Sequence, residues 1–357
     1  MSKHPYQDQK DRAFWSQSVS TNFNALDLIE TDVQLLSRKD KVTSAGSCFA
    51  SNLIPYIESA GLEYIRTERF PEVFARLGQN LGYANFSAMY GNVYTARQLR
   101  QLYERSLGIF RPVEDRWLGN DGIVDPFRPG LKFTAMDNSE FDLINKFHLD
   151  ATRRAFESAD VFVFTLGLTE GWVSKQDGST YPACPGTIAG TFDSNKYEFK
   201  NFSVDEIVKD LSWFITKLTE NNPKIRFILS VSPVPLVATA TSEHVLSATI
   251  YSKSALRVAA HEIEKFFSNV TYFPAYEIIT GPQAPQEFFE SDRRNVSKAG
   301  VELVMQTLLT ASGLNSAGSA KKRQFFKKNS KPMSLENLSE QISQAECDEV
   351  MLDSNLN

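Results

Sequence analysis

Three adjacent residues, Gly46-Ser47-Cys48 in the stretch KVTSAGSCFASNL, carry the side chains that nucleophilic chemistry needs at a strand-to-helix turn. A glycine there permits a tight reversal. A serine hydroxyl at such a turn becomes a nucleophile when a partner base takes its proton. A cysteine in the first turn of a helix feels the helix's positive end, which favours the thiolate. The same triplet also reads as a helix cap, with serine as the N-cap and a buried thiol beneath it. On the triplet alone both readings stand.

Positioning such a group requires elements on either side, and the chain has them. Val42 to Ala45 is a short β-prone run leading into Gly46. VFVFTLGL (161–168) is almost wholly apolar, as for a strand buried on both faces. IRFILSVSPVP (225–235) and VTYFPAY (270–276) are further strands, each ended by proline. Helical periodicity runs from Ser139 to Ala159, from Ser203 to Asn222, from Ser252 to Phe267 and from Ser297 to Leu309, and a further helix is expected over Thr95 to Leu107. Ser203 and Glu206 form a capping-box pattern. Strand and helix alternating in this way predict an α/β fold, a mostly parallel sheet with helices on both faces.

The expected organisation is an N-terminal extension over residues 1–40, a domain over 41–312, and a disordered tail over 313–357, where the sequence turns basic and then acidic. Residues 66–132 read as an insertion able to shape a pocket rim, and a second insertion follows Trp172.

Composition narrows the function classes. A formal charge of −5 and a pI near 5.6 argue against nucleic acid as the main partner. No apolar run approaches the ~20 residues that span a bilayer, and the N-terminus is polar, so a cytoplasmic location is expected. Cys48, Cys184 and Cys347 are far apart, and His4, His148, His244 and His261 lack ligand spacing. Neither a metal nor another cofactor is expected.

Six stretches occur in one order: PYQDQKDRAFW, GSCFA, TLGLTEGW, SVSPVP, SKSALR and YFPAYEI. Together they resemble the GSCFA-domain family, which is placed in the SGNH/GDSL hydrolase-like superfamily, and the resemblance runs from about Pro5 to Leu309. It implies a three-layer α/β/α fold and acyl hydrolysis or acyl transfer, often on carbohydrates or lipids. Laid over the superfamily's Gly-Asp-Ser block, the triplet puts Cys48 at the nucleophile position, with Ser47 as the alternative. The second block implies that Gly91 gives its N–H to an oxyanion hole. The third implies that Thr169 completes it, with Glu170 orienting its neighbours. The superfamily's last block carries a histidine base in Asp-x-x-His. Here the matching stretch is Asp292-Arg293-Arg294-Asn295, and asparagine is no general base. Three routes remain open: a thiolate needing little base assistance, His244 on the loop after SVSPVP, or Glu277 in YFPAYEI.

The resulting expectation is an SGNH-like esterase or acyltransferase acting on an acylated carbohydrate or small molecule. The alternative is a non-catalytic ligand-binding protein that has kept the fold and lost the base.

Overall fold

The computed structural model of the chain describes residues 4–30, 33–69, 81, 83 and 85–314, save the side chain of Cys48. The expected C-terminal tail lies, past Leu314, outside the described residues.

The apolar run at 161–168 becomes the centre of the sheet. Strand β1 (Lys41–Gly46) is followed by helices α2 (Cys48–Ser51) and α3 (Leu53–Ser59) and the short strand β2 (Glu63–Tyr64). A short helix, α1 (Trp15–Ser18), precedes them. Helix α4 (Ala96–Ser106), the hairpin β3 (Trp117–Leu118) and β4 (Ile123–Val124), and helix α5 (Asn138–Glu157) lead to β5 (Val161–Leu166). Strands β6 (Glu170–Ser174), β7 (Thr180–Tyr181) and β8 (Tyr197–Asn201) form a separate antiparallel sheet, order β7-β6-β8. Helix α6 (Val204–Asn221), β9 (Arg226–Val231), α7 (Val245–Phe266), β10 (Val270–Tyr272), α8 (Ala275–Thr280) and α9 (Lys298–Ala311) complete the chain.

The main sheet is five-stranded and parallel throughout, in the order β10-β9-β5-β1-β2. All six residues of β5 are buried, because strands flank it and helices cover both of its faces. On one face α4, α5, α6 and α7 pack around Phe156, Phe162 and Phe214. Phe156 meets Phe162 edge to face at 4.9 Å, a favoured aromatic geometry. On the other face lie α2, α3, α8 and α9, together with Ala25, Ile29, Leu35 and Leu36 of the N-terminal segment. Arg226 ties that segment down, donating to the carbonyls of Gln34 and Leu35 and pairing with Asp40 at 2.6 Å. This is the three-layer α/β/α architecture expected from the sequence.

Element boundaries shift where proline or polar caps compete with periodicity. The last strand stops at Tyr272, since Pro274 starts α8, so Glu277 stands on a helix. Helix α7 opens at Val245, two turns before the expected Ser252, with His244 as its N-cap. The region expected as an insertion supplies a core helix, because α4 buries Ala96, Leu99, Leu102 and Tyr103. Thr95 and Gln98 close a capping box at its start.

The chain begins in the middle of the sheet, runs outward to β2, then crosses back to β5, β9 and β10. The reversal of winding falls between β1 and β5, and in such sheets ligands bind outside the carboxyl ends of the strands at that point. Gly46 ends β1 there, beside Thr165 of β5. Its φ is +149°, and a Cβ on it would stand 2.8 Å from both the Ala50 Cβ and the Thr165 carbonyl oxygen. Only glycine lets α2 turn back this closely onto the strand ends. Gly46→Ala is expected to lower stability by about 3 kcal/mol through combined strain and overpacking. Urea unfolding measures this, and an unchanged midpoint would contradict the stated packing.

Candidate active site

Three loops meet over the ends of β1 and β5, and backbone hydrogen bonds fix their mutual placement. The Val93 N–H donates to the Gly46 carbonyl at 2.8 Å. The N–H groups of Gly167 and Leu168 both donate to the Tyr94 carbonyl at 3.0 Å. Segment 91–95 is thereby strapped to the turn after β1 on one side and the turn after β5 on the other. Gly167 is needed for this approach, since a Cβ would lie 3.1 Å from the Tyr94 carbonyl oxygen.

Each of these loops carries a polar group with no hydrogen-bond partner among the described residues. Ser47 is the N-cap residue of α2, yet its hydroxyl makes no capping bond and is buried. The cap reading of the triplet therefore loses its hydrogen bond. Gly91 has φ +66°, open space where a Cβ would be, and an N–H with no acceptor among the described residues. Thr169 commits its N–H to the Ser252 Oγ at 3.1 Å and its carbonyl to the Phe202 N–H at 2.7 Å, leaving Oγ1 buried and unpartnered. Buried hydroxyls are normally satisfied, so two such groups at neighbouring strand ends mark a place where a bound group would complete the bonding. The Cys48 backbone opens α2, and Asn52, helical at φ −61° and ψ −21°, carries the helical path on into α3. The Cys48 side chain lies outside the described residues.

The acidic and basic candidates are placed less favourably for proton transfer. Glu170 is half-buried, and desolvation raises its pKa above the ordinary carboxylate value. Its Oε1 accepts from the Thr239 hydroxyl at 2.7 Å, so it clasps the loop between β9 and α7 rather than orienting Thr169. His244, on that loop's far end, is exposed, and its Nδ1 accepts the Leu246 N–H at 3.2 Å. That bond engages the ring as a helix cap, with Nδ1 as the acceptor. Both carboxylate oxygens of Glu277 are engaged, Oε1 by Arg257 at 2.7 Å and Oε2 by the Tyr272 hydroxyl at 2.8 Å. Asp292 and Asn295 form a self-contained, exposed turn. Asp292 Oδ1 accepts the N–H groups of Arg294 and Asn295, and Oδ2 accepts Asn295 Nδ2. Against the desolvation that would raise it, these bonds hold the Asp292 carboxyl below its usual range. Ser297, not Asn295, caps α9. Lys253 is buried and donates to the Gly167 carbonyl at 2.7 Å, which makes it a brace for the third loop.

The GSCFA family model matches residues 41–308. The chain belongs to the GSCFA family. No curated protein matches it. Among solved structures, a candidate GDSL-like lipase from Parabacteroides merdae is similar at 17% identity and TM-score 0.30, covering 49% of this chain and 68% of that one. A candidate platelet activating factor from Streptococcus pneumonia is similar at 15% identity and TM-score 0.28, over 49% of this chain and 67% of that one. A carbohydrate esterase family 2 enzyme from Corynascus thermopiles (Myceliophthora fergusii) is similar at 14% identity and TM-score 0.24, over 43% of this chain and 38% of that one. Among the described residues of this GSCFA protein, no helix is long and apolar enough to cross a membrane, and no group of histidine, cysteine or acidic residues is arranged to hold a metal ion.

Below the Gly91 loop lies a buried charge network that sequence reasoning missed. His148 of α5 is fully buried and donates Nδ1–H to Glu68 at 2.8 Å, while Glu68 also accepts the Met89 N–H at 2.7 Å. Arg128 donates to Asp125 at 2.8 Å and to the Met89 carbonyl at 3.3 Å. Burial, reinforced by the Arg128 charge, lowers the His148 pKa to about 4, so a neutral imidazole donates to an ionised Glu68. The Nε2 of His148 and the Oγ1 of Thr152, one turn along α5, are both buried without partners among the described residues. The network holds Met89 by both its N–H and its carbonyl, and so fixes the approach to Gly91.

Acid should loosen it, with a defined sign. The folded-state His148 takes up its proton near pH 4 and the unfolded one near 6.5. Between those values the unfolded state binds more protons, so stability falls as pH drops from 6.5 toward 4, by on the order of 3 kcal/mol. Urea unfolding across this window should show that slope, flattened in His148→Gln. A wild-type limb already flat from pH 6.5 to 4 would contradict the assignment.

Proposed function

We propose that this GSCFA protein is an acyl hydrolase or acyltransferase whose nucleophile lies in the triplet Gly46-Ser47-Cys48 and whose substrate is an acylated carbohydrate or other acylated small molecule. The observation carrying this reading is the set of three uncommitted polar groups, Ser47 Oγ, Gly91 N–H and Thr169 Oγ1, on loops strapped together over the sheet's switch point. Acyl transfer needs a nucleophile facing hydrogen-bond donors that hold the negative charge forming on the carbonyl oxygen.

Cys48 attacks the acyl carbon in this scheme. Its sulfur forms a thioester as the alcohol leaves, and water or an acceptor alcohol then displaces the thiolate. Gly91 N–H and Thr169 Oγ1 hold the oxygen through both steps. A thiolate formed at the start of the α2–α3 helical run needs no proton acceptor for its attack, which suits a site where Glu277 is ion-paired and Asp292 is spent on its own turn. The departing alkoxide takes its proton from water, and the attacking water or acceptor alcohol gives up its own as the thiolate leaves.

A second reading has its own observation. Glu277 is ion-paired, Asp292 is spent on its own turn, Glu170 holds Thr239 and His244 caps α7, as a fold that had lost its base would have it. A non-catalytic ligand-binding protein would then use the same three loops.

Hydrolysis of an activated acetyl ester, such as p-nitrophenyl acetate, separates the two. Thr169→Val is expected to lower kcat by about 100- to 1,000-fold with little change in KM, the usual cost of one oxyanion donor. Cys48→Ala is expected to abolish turnover, whereas Ser47→Ala keeps it. A wild-type protein with no turnover above the Cys48→Ala level would favour the binding protein.

A further inference from the structure

The small antiparallel sheet starts where the candidate site ends. Strand β6 follows Thr169 directly, and its pairing with β8 sets Glu170 opposite Asn201, Trp172 opposite Phe199 and Ser174 opposite Tyr197. Side chains alternate along a strand, so these three pairs share one face. The end of that face far from Thr169 is covered. Tyr181 and Tyr197 form a small buried core there with Trp117 of the β3–β4 hairpin. The end near Thr169 is more open. Trp172 and Phe199 are only half-buried, and Phe192, on the loop before β8, is 45% exposed.

The three rings form one group. Phe192 and Phe199 meet Trp172 in T-shaped contacts, with ring centres 5.4 and 5.8 Å away. Perpendicular neighbours hold the indole without sandwiching it. Single exposed aromatic residues are ordinary on a protein surface, but three in contact beside a set of unpartnered polar groups mark a place of interaction.

Polar atoms at the margin of the group are uncommitted. The Trp172 indole N–H makes no hydrogen bond among the described residues. Asn201 Oδ1 has no partner among them either, so its amide can turn toward a ligand without losing a bond from that oxygen. Glu170, across from Asn201, is engaged by Thr239. The other charges of β8, Glu198 and Lys200, alternate to the opposite face. An acyl chain laid here would leave both the donor and the acceptor unpaired, at a cost. A pyranose ring meets all three features, with its C–H face on the indole and its hydroxyls at the N–H and the amide oxygen.

We infer that Trp172, with Phe192, Phe199 and Asn201, is a sugar-stacking subsite that holds one ring of a neutral oligosaccharide beside the candidate active site. Trp172 lies about 10 Å of extended chain beyond Thr169, so the stacked ring is a neighbour of the unit at Thr169. That this unit carries the acyl group rests on the acyl-transfer reading. That a sugar binds does not.

Calorimetric titration of the full chain with maltotriose, cellotriose and triacetylchitotriose tests the subsite, with glycerol as a polyol that has no ring. Saturable binding of at least one trisaccharide at a single site is expected, and none of glycerol. Trp172→Leu should weaken that binding by about tenfold or more, through loss of the stacked ring. Trp172→Phe, which keeps a ring and loses the N–H, should weaken it less. Phe192→Ala changes an exposed position, should weaken binding severalfold, and decides the matter if Trp172→Leu does not fold. No saturable binding of any trisaccharide, or undiminished binding in the folded variants, overturns the subsite. Sugar binding by a protein that does not turn over p-nitrophenyl acetate would sink the acyl-transfer reading and leave the subsite standing. Turnover with no sugar binding would do the reverse.

Discussion

The hydrogen bond from the Val93 N–H to the Gly46 carbonyl couples the end of β1 to a loop that belongs to no strand. Without it, segment 91–95 would have no fixed height above the sheet, and Gly91 no defined relation to Ser47. One residue on, the Tyr94 carbonyl takes the N–H groups of Gly167 and Leu168 and extends the strap across to β5. Two glycines make this possible. Gly46 admits Ala50 against the strand, and Gly167 admits the Tyr94 backbone. The site is thus built chiefly from main-chain contacts, which are short, directional and insensitive to side-chain motion.

Electrostatics beneath the loop serve the same end. His148, Glu68, Arg128 and Asp125 are drawn from distant parts of the chain and close around both polar groups of Met89. Leaving one member without its partner would strand a buried charge, so the cluster specifies a single arrangement. Arg105, buried at its margin, lies in the field of Asp125 and Asp115. The clasp of Glu170 on Thr239 plays a comparable part on the other side, holding the loop that ends at His244.

Much of the scaffold was legible in the residues. The unbroken apolar run of β5, the capping pattern at Ser203 and the prolines after β9 and β10 report local constraints, and local constraints survive in sequence. Gly46 was singled out by its place after a β-prone run, whereas Gly91 and Thr169 were singled out only by the resemblance to the family's blocks. What was hidden depends on partners far apart in the chain. Nothing around Glu68 announces His148, 80 positions away. Glu277 reads as a candidate base until Arg257 and Tyr272 are seen to hold both of its oxygens. His244 reads as a loop residue because β-branched Thr249 and Ile250 blur the helical period over the first two turns of α7. Strand β8 was missed because its burial is partial and its pairing with β6 is non-local.

The central claim is that the turn after β1 presents an activated nucleophile, and the pH dependence of Cys48 alkylation tests it most directly. Iodoacetamide labelling of a chain carrying Cys184→Ser and Cys347→Ser removes competing thiols, of which Cys184 is the less competitive near neutral pH because burial pushes its pKa up to about 11. The account predicts rapid labelling of Cys48 between about pH 6 and 7, well below the ~8.5 of an unperturbed thiol. Labelling that becomes rapid only above that value would contradict it and remove Cys48 as the nucleophile.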